Sequence, residues 1–262
     1  MAKHPKFEQL IAEILTEPKS ASAVIDREQA RAEIKSLARL DYGGALRKSL
    51  SRAEVEEIVR IARKKVWPQL NRDPVELIAP REFMQRWSGL GVDFRMADWA
   101  WPEGLALVGV YIKKTRGVTD RPVICINTAH HPAMVGAAFD HEMGHHLTSR
   151  IFDRRSEPAH FLKYTGYADH LNDPAELAAD LLVTLGAYPQ IAARELFEAG
   201  DPRRMKSAPF DVRSFEKAMK YVAERYGLKF NARFSNDKKL QCLAALIHYT
   251  RLRQALLDEY GI

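Results

Sequence analysis

The chain has 262 residues, of which 46% are hydrophobic and 28% charged, with a formal net charge of +6 and two cysteines. This composition is typical of a folded globular protein and excludes a fibrous or largely disordered chain. No apolar run reaches the roughly 18 residues of a membrane span, the first residues lack a secretory pattern, and two isolated cysteines fit a reducing compartment, so we expect a cytoplasmic protein that does not contact a membrane.

The positive charge is concentrated near the C-terminus. Residues 201–262 contain 13 Lys and Arg against 7 Asp and Glu, whereas the residues before them are balanced. Such a segment fits an acidic or nucleic-acid partner, or simply a solvated surface. Because acids are interleaved with the bases and no motif that reads nucleic acid is present, we favour the solvated surface and keep nucleic-acid binding as an alternative.

Helical patterns fill the first part of the chain. Residues 26–40 carry apolar side chains at helical spacing, and the Tyr-Gly-Gly sequence at 42–44 is expected to interrupt the pattern. Ser51 and Glu54 form a capping box, which predicts the start of another helix, and Pro68 is expected to end it.

After a further predicted helix over 75–87, apolar residues alternate with polar ones instead. Residues 92–96, 105–112 and 122–127 read as three short strands. Consecutive short strands favour a small antiparallel sheet. Helices are predicted again over 132–149, 174–188, 212–226 and 238–260. The order predicts an α+β fold, in which a small antiparallel sheet packs with a pair of helices and helical extensions flank it on both sides.

The sequence His-Glu-Met-Gly-His at 141–145 lies inside the first of these later helices. Residues four apart share one face of a helix, so His141 and His145 can offer two imidazoles to one zinc ion. Glu142 lies beside that face, where a general base acting on the metal's water is needed. The other residues of the helix are small or apolar, so burying these groups without a ligand would be costly.

A catalytic zinc site uses a third protein ligand and keeps one position open. The extended motif with a third histidine is absent, because Ile151 occupies that position. The candidates downstream are Glu157, His160, Asp169, His170, Asp173 and Glu176. We choose Glu176, because it opens the helix at 174–188 and is therefore rigidly aimed.

Asp180 lies one turn after Glu176 on the same helix face. We expect Glu176 to bind the metal and Asp180 to accept a hydrogen bond from a ligating imidazole, as carboxylates near zinc-bound histidines commonly do. Helix capping is the alternative for Glu176, since Asp173, Pro174 and Glu176 also fit an N-terminal capping pattern. Capping does not explain Asp180 in an otherwise apolar run.

These features together resemble the ImmA/IrrE family of zinc metallopeptidases. The matching segments are the helix at 53–66, the strand at 107–113, Ile124-Cys125-Ile126-Asn127, Phe139 to His145, and Glu176-x-x-Ala179-Asp180 with Pro189 following. The resemblance covers residues 51–190 and departs from the family at Gly186-Ala187-Tyr188, where the family has Leu-Leu-Met before the proline. It divides the chain into an N-terminal helical extension (1–50), a metallopeptidase domain (51–190) and a basic helical region (191–262).

The resemblance implies a gluzincin-like hydrolase with one zinc ion per chain. It also implies a regulatory role in transcription or the stress response, through cleavage of a specific protein such as a helix-turn-helix repressor. The alternative is a nucleic-acid-binding or sensor regulator in which the zinc site is structural. Glu142 argues against that alternative, because a structural site needs no free glutamate.

Two further sets of residues are weaker candidates. Tyr164 and Tyr167 lie between the ligand-bearing helices and could stabilise an oxyanion, with packing as the alternative role. Ile124, Ile126 and Asn127 lie on the strand before the metal helix. If that strand is a sheet edge, it can pair with an extended substrate peptide. Strands paired along both of its edges would exclude this model.

Overall fold

The structure, a computed structural model, describes residues 27–37, 39–66, 88–97, 107–114, 119–128, 130, 132–152, 159–163, 166–187 and 236–262. Within these residues the fold mixes α-helices with one small sheet, as the sequence predicts. The helices predicted over 75–87 and 212–226 lie outside the described residues, as does Tyr164. None of the described helices combines the length and apolar character that crossing a membrane requires.

Three helices begin the described chain: α1 (Arg27–Leu37), α2 (Tyr42–Ser49) and α3 (Arg52–Ile61), which continues into a π-helical turn over Ala62–Val66. The helical pattern is interrupted between α1 and α2, but the assignment of the break to the Tyr-Gly-Gly sequence is wrong, because α2 begins at Tyr42. The Asp41 carboxylate caps α2 by accepting a hydrogen bond from the Gly44 N–H at 2.9 Å. The capping box of α3 is confirmed, with the Ser51 N–H donating to Glu54 at 2.7 Å.

In the described part of the chain, four strands form the sheet: β1 (Asp93–Ala97), β2 (Leu107–Ile112), β3 (Val123–Asn127) and β4 (Ala159–Lys163). Their order is β1-β3-β2-β4, with β1 parallel to β3 and the other two pairs antiparallel. The prediction of a purely antiparallel sheet is therefore wrong. The chain passes from β1 to the far side of β3 before it forms the β2–β3 pair, and hydrophobic periodicity carries no information about that order.

Helix α4 (Pro132–Thr148) lies across β2 and β3 and packs on its other side against α6 (Pro174–Ala187). The short helix α5 (Tyr167–His170) precedes α6. The C-terminal helix α7 (Asn236–Tyr260) packs against α1, α2, α4 and α6. One hydrophobic cluster includes buried residues from all of these helices. The described parts of the two predicted extensions thus share a core with the segment between them, and the domain boundaries at 50 and 190 remain a prediction.

Candidate metal centre

The two histidines of the His-Glu-Met-Gly-His motif lie one turn apart on α4 and are buried. His141 is fully buried and His145 is 4% exposed. Their rings stand nearly perpendicular, with centroids 4.6 Å apart. Helix spacing thus presents both imidazoles to one place between α4 and α6, as the sequence predicts.

Glu176 reaches the same place from the first turn of α6. Its Oε2 lies 3.0 Å from His141 Nε2 and 3.3 Å from His145 Nε2. Two ligands at about 2.0–2.1 Å from a tetrahedral zinc ion lie about 3.3 Å from each other. Glu176 Oε2 therefore lies at nearly the separation from each ring that a shared zinc ion requires, and all three donor atoms lie within 4.8 Å of one another, so the donor set could hold such an ion.

The alternative role of Glu176, capping of α6, is filled by another residue. The Asp173 carboxylate accepts a hydrogen bond from the Ala175 N–H at 3.0 Å, at the start of α6. Capping is thereby provided by Asp173, while the Glu176 side chain turns toward the two histidines.

The close approach of α4 and α6 brings the three donors together. A side chain added at Gly144 would place its Cβ 2.7 Å from the Cα of Ala179 and 2.8 Å from its carbonyl oxygen. Glycine at this crossing point is what allows the two backbones to lie so close. Since His145 follows Gly144 and Asp180 follows Ala179, the contact sets the distance between the ligand-bearing faces.

The charges of the donors suit a cation. Burial works to raise the pKa of Glu176, but the facing His145 and His141 hold it well below its usual range, so the carboxylate is ionised. Burial lowers the pKa of His145, which favours the neutral ring that a metal binds. Burial also acts to lower the pKa of His141, yet Asp180 and Glu176 raise it well above normal. The His141 ring therefore holds a proton that a cation would displace.

Glu142 is fully buried next to these ligands and faces the sheet. A Cβ at Gly109 of β2 would lie 2.9 Å from the Glu142 carboxylate and 3.0 Å from its Cγ. Gly109 therefore leaves the space that the Glu142 side chain occupies. Sequence analysis missed this role, although a glycine inside an apolar strand is a signal that another group approaches closely.

Cys125, on the central strand, is not a reactive group. Burial raises the pKa of its thiol to about 12, and the nearby Glu142 acts in the same direction. The thiol stays protonated and behaves as a small apolar side chain. The side chain of the second cysteine, Cys242, lies outside the described part of the structure.

Asp180 is fully buried one turn beyond Glu176. Its Oδ1 lies 2.7 Å from His141 Nδ1, so the His141 ring donates to Asp180 and directs Nε2 toward Glu176. Its Oδ2 lies 2.9 Å from His170 Nδ1. His141, His170 and Asp180 form a second group whose donor atoms are close enough to hold an ion. Sequence analysis placed His170 among the third-ligand candidates and did not foresee its contact with Asp180.

The remaining candidates lie elsewhere. Tyr167 stacks on His248 of α7, with ring centroids 4.5 Å apart, and its hydroxyl points to the Met134 sulfur. These contacts describe a packing role and give no support to an oxyanion role. The hydroxyl of Tyr111 lies 3.2 Å from His146 Nδ1, so His146 links α4 to the sheet.

The substrate-strand model for Ile124, Ile126 and Asn127 is wrong. Strand β3 is the interior strand that pairs with β1 along one edge and with β2 along the other. All five of its residues are buried. Ile124 and Ile126 have partners in both neighbouring strands and Asn127 has a partner in β1, so β3 has no free edge along which an extended peptide could pair.

Comparison with known proteins does not assign the chain to a class. No protein-family model matches the sequence, and neither the curated proteins nor the solved structures include a match. The functional conclusion therefore depends on the geometry of the site and on the sequence motifs.

Proposed function

We propose that this protein is a zinc-dependent metallopeptidase that binds one zinc ion through His141, His145 and Glu176 and uses Glu142 as its general base. The observation that carries the proposal is the convergence of two buried imidazoles and the partly buried Glu176 carboxylate, whose Oε2 lies 3.0 and 3.3 Å from the two rings. Among the described residues this donor group has three members. Three protein ligands are typical of catalytic zinc, whereas structural zinc has four.

Each residue of the site has a distinct task in this reaction. Zinc, when bound, would supply a Lewis acid that acidifies water and polarises a carbonyl group. Glu142 would accept a proton from the attacking water and donate it to the leaving amine. Gly109 would keep space for that carboxylate, and Asp180 would hold the His141 ring with Nε2 facing the metal.

We further propose that the substrate is a specific regulatory protein, such as a helix-turn-helix repressor. The support is the resemblance to the ImmA/IrrE pattern, which joins the His-Glu-Met-Gly-His motif to Glu176 and Asp180. The arrangement of β3 removes one way of binding a substrate but does not bear on the hydrolytic chemistry.

The nucleic-acid alternative gains no support from the described part of the basic region. Two arginines of α7 make internal contacts: Arg251 donates to the Leu40 carbonyl at 2.8 Å, and Arg253 donates to the Ile262 carbonyl at 2.8 Å. Arg251 also lies over the Tyr42 ring. These cations stabilise the packing of α7, so they contribute little to a surface that attracts phosphates.

The test combines metal analysis with a cleavage assay. Purified protein should contain about one zinc per chain, and intact-mass analysis should show cleavage of a candidate repressor. Glu142→Gln should retain zinc and abolish cleavage, because an amide cannot accept the proton. Glu56→Gln, at an exposed position on α3, is the matched control and should behave like the wild type. Absence of a stoichiometric metal, or cleavage by Glu142→Gln at the wild-type rate, would refute the assignment.

A further inference from the structure

Asp180 is the centre of a buried hydrogen-bond network that extends well beyond the ligands. Its carboxylate contacts His141 and His170 from the elements already described. Two consecutive residues of α7 complete the network: His248 Nε2 lies 3.0 Å from Oδ2, and the Tyr249 hydroxyl lies 3.2 Å from Oδ1. Asp180, His248 and Tyr249 are all fully buried.

The number of hydrogen-bond donors in this network matches the number of acceptor positions on the Asp180 carboxylate. An ionised carboxylate has about four lone-pair positions and donates nothing. Three imidazole N–H groups and one phenol O–H fill these positions, two on each oxygen. Four donors around one carboxyl group require its ionised form, because a protonated carboxyl group would itself have to donate a hydrogen bond. Asp180 is therefore an anion with every acceptor position used.

The tautomer of His248 is fixed from the opposite side. The Tyr42 hydroxyl of α2 lies 3.1 Å from His248 Nδ1. Burial raises the pKa of Tyr42, so its phenol keeps the proton. Because Tyr42 donates to Nδ1, the neutral His248 ring carries its own hydrogen on Nε2, where it donates to Asp180. The stack of Tyr167 on the His248 ring, with an interplanar angle of 19°, restricts its rotation.

We infer that His248, oriented by Tyr42, is a positioning residue of the metal centre that acts on the ligand His141 through Asp180. The chain of contacts runs from Tyr42 to His248, then to Asp180, and from there to His141. Removing the His248 N–H leaves one position of a buried anion without a donor, and Asp180 then shifts toward the remaining donors. The His141 ring, which Asp180 orients, loses its alignment with Glu176 and His145.

The consequence is that zinc affinity depends on two side chains, Tyr42 of α2 and His248 of α7, and not on how tightly the two helices pack. These two helices lie outside the segment that carries the metal-binding motifs, yet they supply two links of the chain of contacts. The inference depends on the proposed metal site and not on peptidase activity, so it is tested by metal binding alone.

The experiment measures the zinc affinity of the full-length protein by competition with a chromophoric chelator. His248→Phe keeps a ring but removes the N–H, and we expect zinc affinity to fall roughly 10- to 100-fold, as it does when hydrogen-bond partners of zinc ligands are removed. His248→Gln keeps an amide donor near the Nε2 position and should recover most of the loss. Tyr42→Phe removes only a hydroxyl and should lower affinity by a smaller factor.

Two controls separate positioning from general packing. Leu252→Ala removes a fully buried side chain of the same helix, so it loosens α7 without altering a contact of Asp180, and it should leave zinc affinity close to that of the wild type. In an Asp180→Asn background, His248→Phe should cause little further loss, because its effect passes through the Asp180 carboxylate.

Several outcomes would overturn the inference. These are wild-type affinity in His248→Phe, an equal loss in Leu252→Ala, or a full additional loss in the Asp180→Asn background. If His248→Phe does not fold, a zinc affinity of Tyr42→Phe equal to that of the wild type would also overturn the inference. A wild-type protein that binds no zinc refutes the proposed function as well, whereas a zinc-binding protein that cleaves nothing leaves this inference standing.

Discussion

Replacement of Gly144 by alanine should force apart the two helices that carry the proposed metal ligands. The new Cβ would lie 2.7 Å from the Ala179 Cα, 2.8 Å from its carbonyl oxygen and 3.0 Å from its Cβ, while ordinary contact begins at 3.4 Å. Two of these three atoms belong to the backbone of α6, so no side-chain rotation relieves the clash. The helices must separate by about 0.7 Å, which overpacking data place at about 1–3 kcal/mol.

Helix propensity partly conceals this cost, because alanine is favoured over glycine in a helix by about 0.8–1.0 kcal/mol. Gly136→Ala is the matched control, since it lies on the same helix and an added Cβ there meets no atom within 4 Å. We expect Gly136→Ala to stabilise the protein and Gly144→Ala to be about 1–3 kcal/mol less stable than that control. Denaturant unfolding measures both free energies.

The same displacement should weaken zinc binding. Metal–ligand distances tolerate about 0.2 Å, so a separation of about 0.7 Å between α4 and α6 breaks the fit between Glu176 and the two histidines. Chelator competition should show a zinc affinity at least about tenfold lower for Gly144→Ala than for Gly136→Ala. Equal unfolding free energies and equal zinc affinities in the two variants would refute the argument that this glycine sets the ligand separation.

Three further predictions concern the catalytic base, the ligand set and the basic region. Gly109→Ala should displace the Glu142 carboxylate and lower the cleavage rate roughly 100-fold with zinc content unchanged, and an unaltered rate would remove Gly109 from the site. Glu176→Ala should lose stoichiometric zinc while His170→Asn, which keeps a donor near Nδ1, should retain it, and the reverse would move the ion to the second histidine group. Mobility-shift assays of the full-length protein, which includes the basic residues 201–262, should show no sequence-specific DNA complex between about 50 and 200 mM salt. A sequence-specific footprint that weakens as salt increases would contradict this.

Local patterns predict the elements around the site well. The capping box at Ser51, the strand at Val123–Asn127 and the helices that begin at Pro132 and Pro174 agree with the structure to within one or two residues. Each depends on side chains close together in sequence, where periodicity and capping are informative. Glu176 and Asp180 are 35 and 39 residues from His141, and they could be chosen because they share one face of a predicted helix and match the pattern of the family that the sequence resembles.

The order of the strands could not be read in the same way. Val92, Phe94 and Met96 alternate as a strand should, and they become progressively more exposed from 4% at Val92 to 38% at Met96. Alternation shows that a strand exists and which face is apolar, but not which strand lies beside it. That β1 pairs in parallel with β3 depends on the path of the chain between them, and the substrate-strand model failed at this step.

The partners of Asp180 on α7 were missed for a related physical reason. His248 and Asp180 are 68 residues apart, and no spacing rule joins them. The sequence did contain an indication, because a histidine in an otherwise apolar stretch of a predicted helix destabilises the fold unless its buried ring forms a hydrogen bond. The sequence could show that His248 needs a partner, whereas only the packing of α7 against α6 shows that the partner is Asp180.

The cost of this network is itself an argument for its role. A buried anion surrounded by three imidazoles and a phenol is commonly no more stable than a set of apolar residues of the same volume. Packing alone therefore does not account for Asp180 and His248 in the centre of the helical core. These groups have a role if His141 must present Nε2 to a cation in a fixed direction. Every donor that fixes the Asp180 carboxylate also limits the movement of the His141 ring. The cost of the network and its location beside Glu176 together favour a metal centre whose ligands lie on α4 and α6 and whose orientation depends on side chains of α2 and α7.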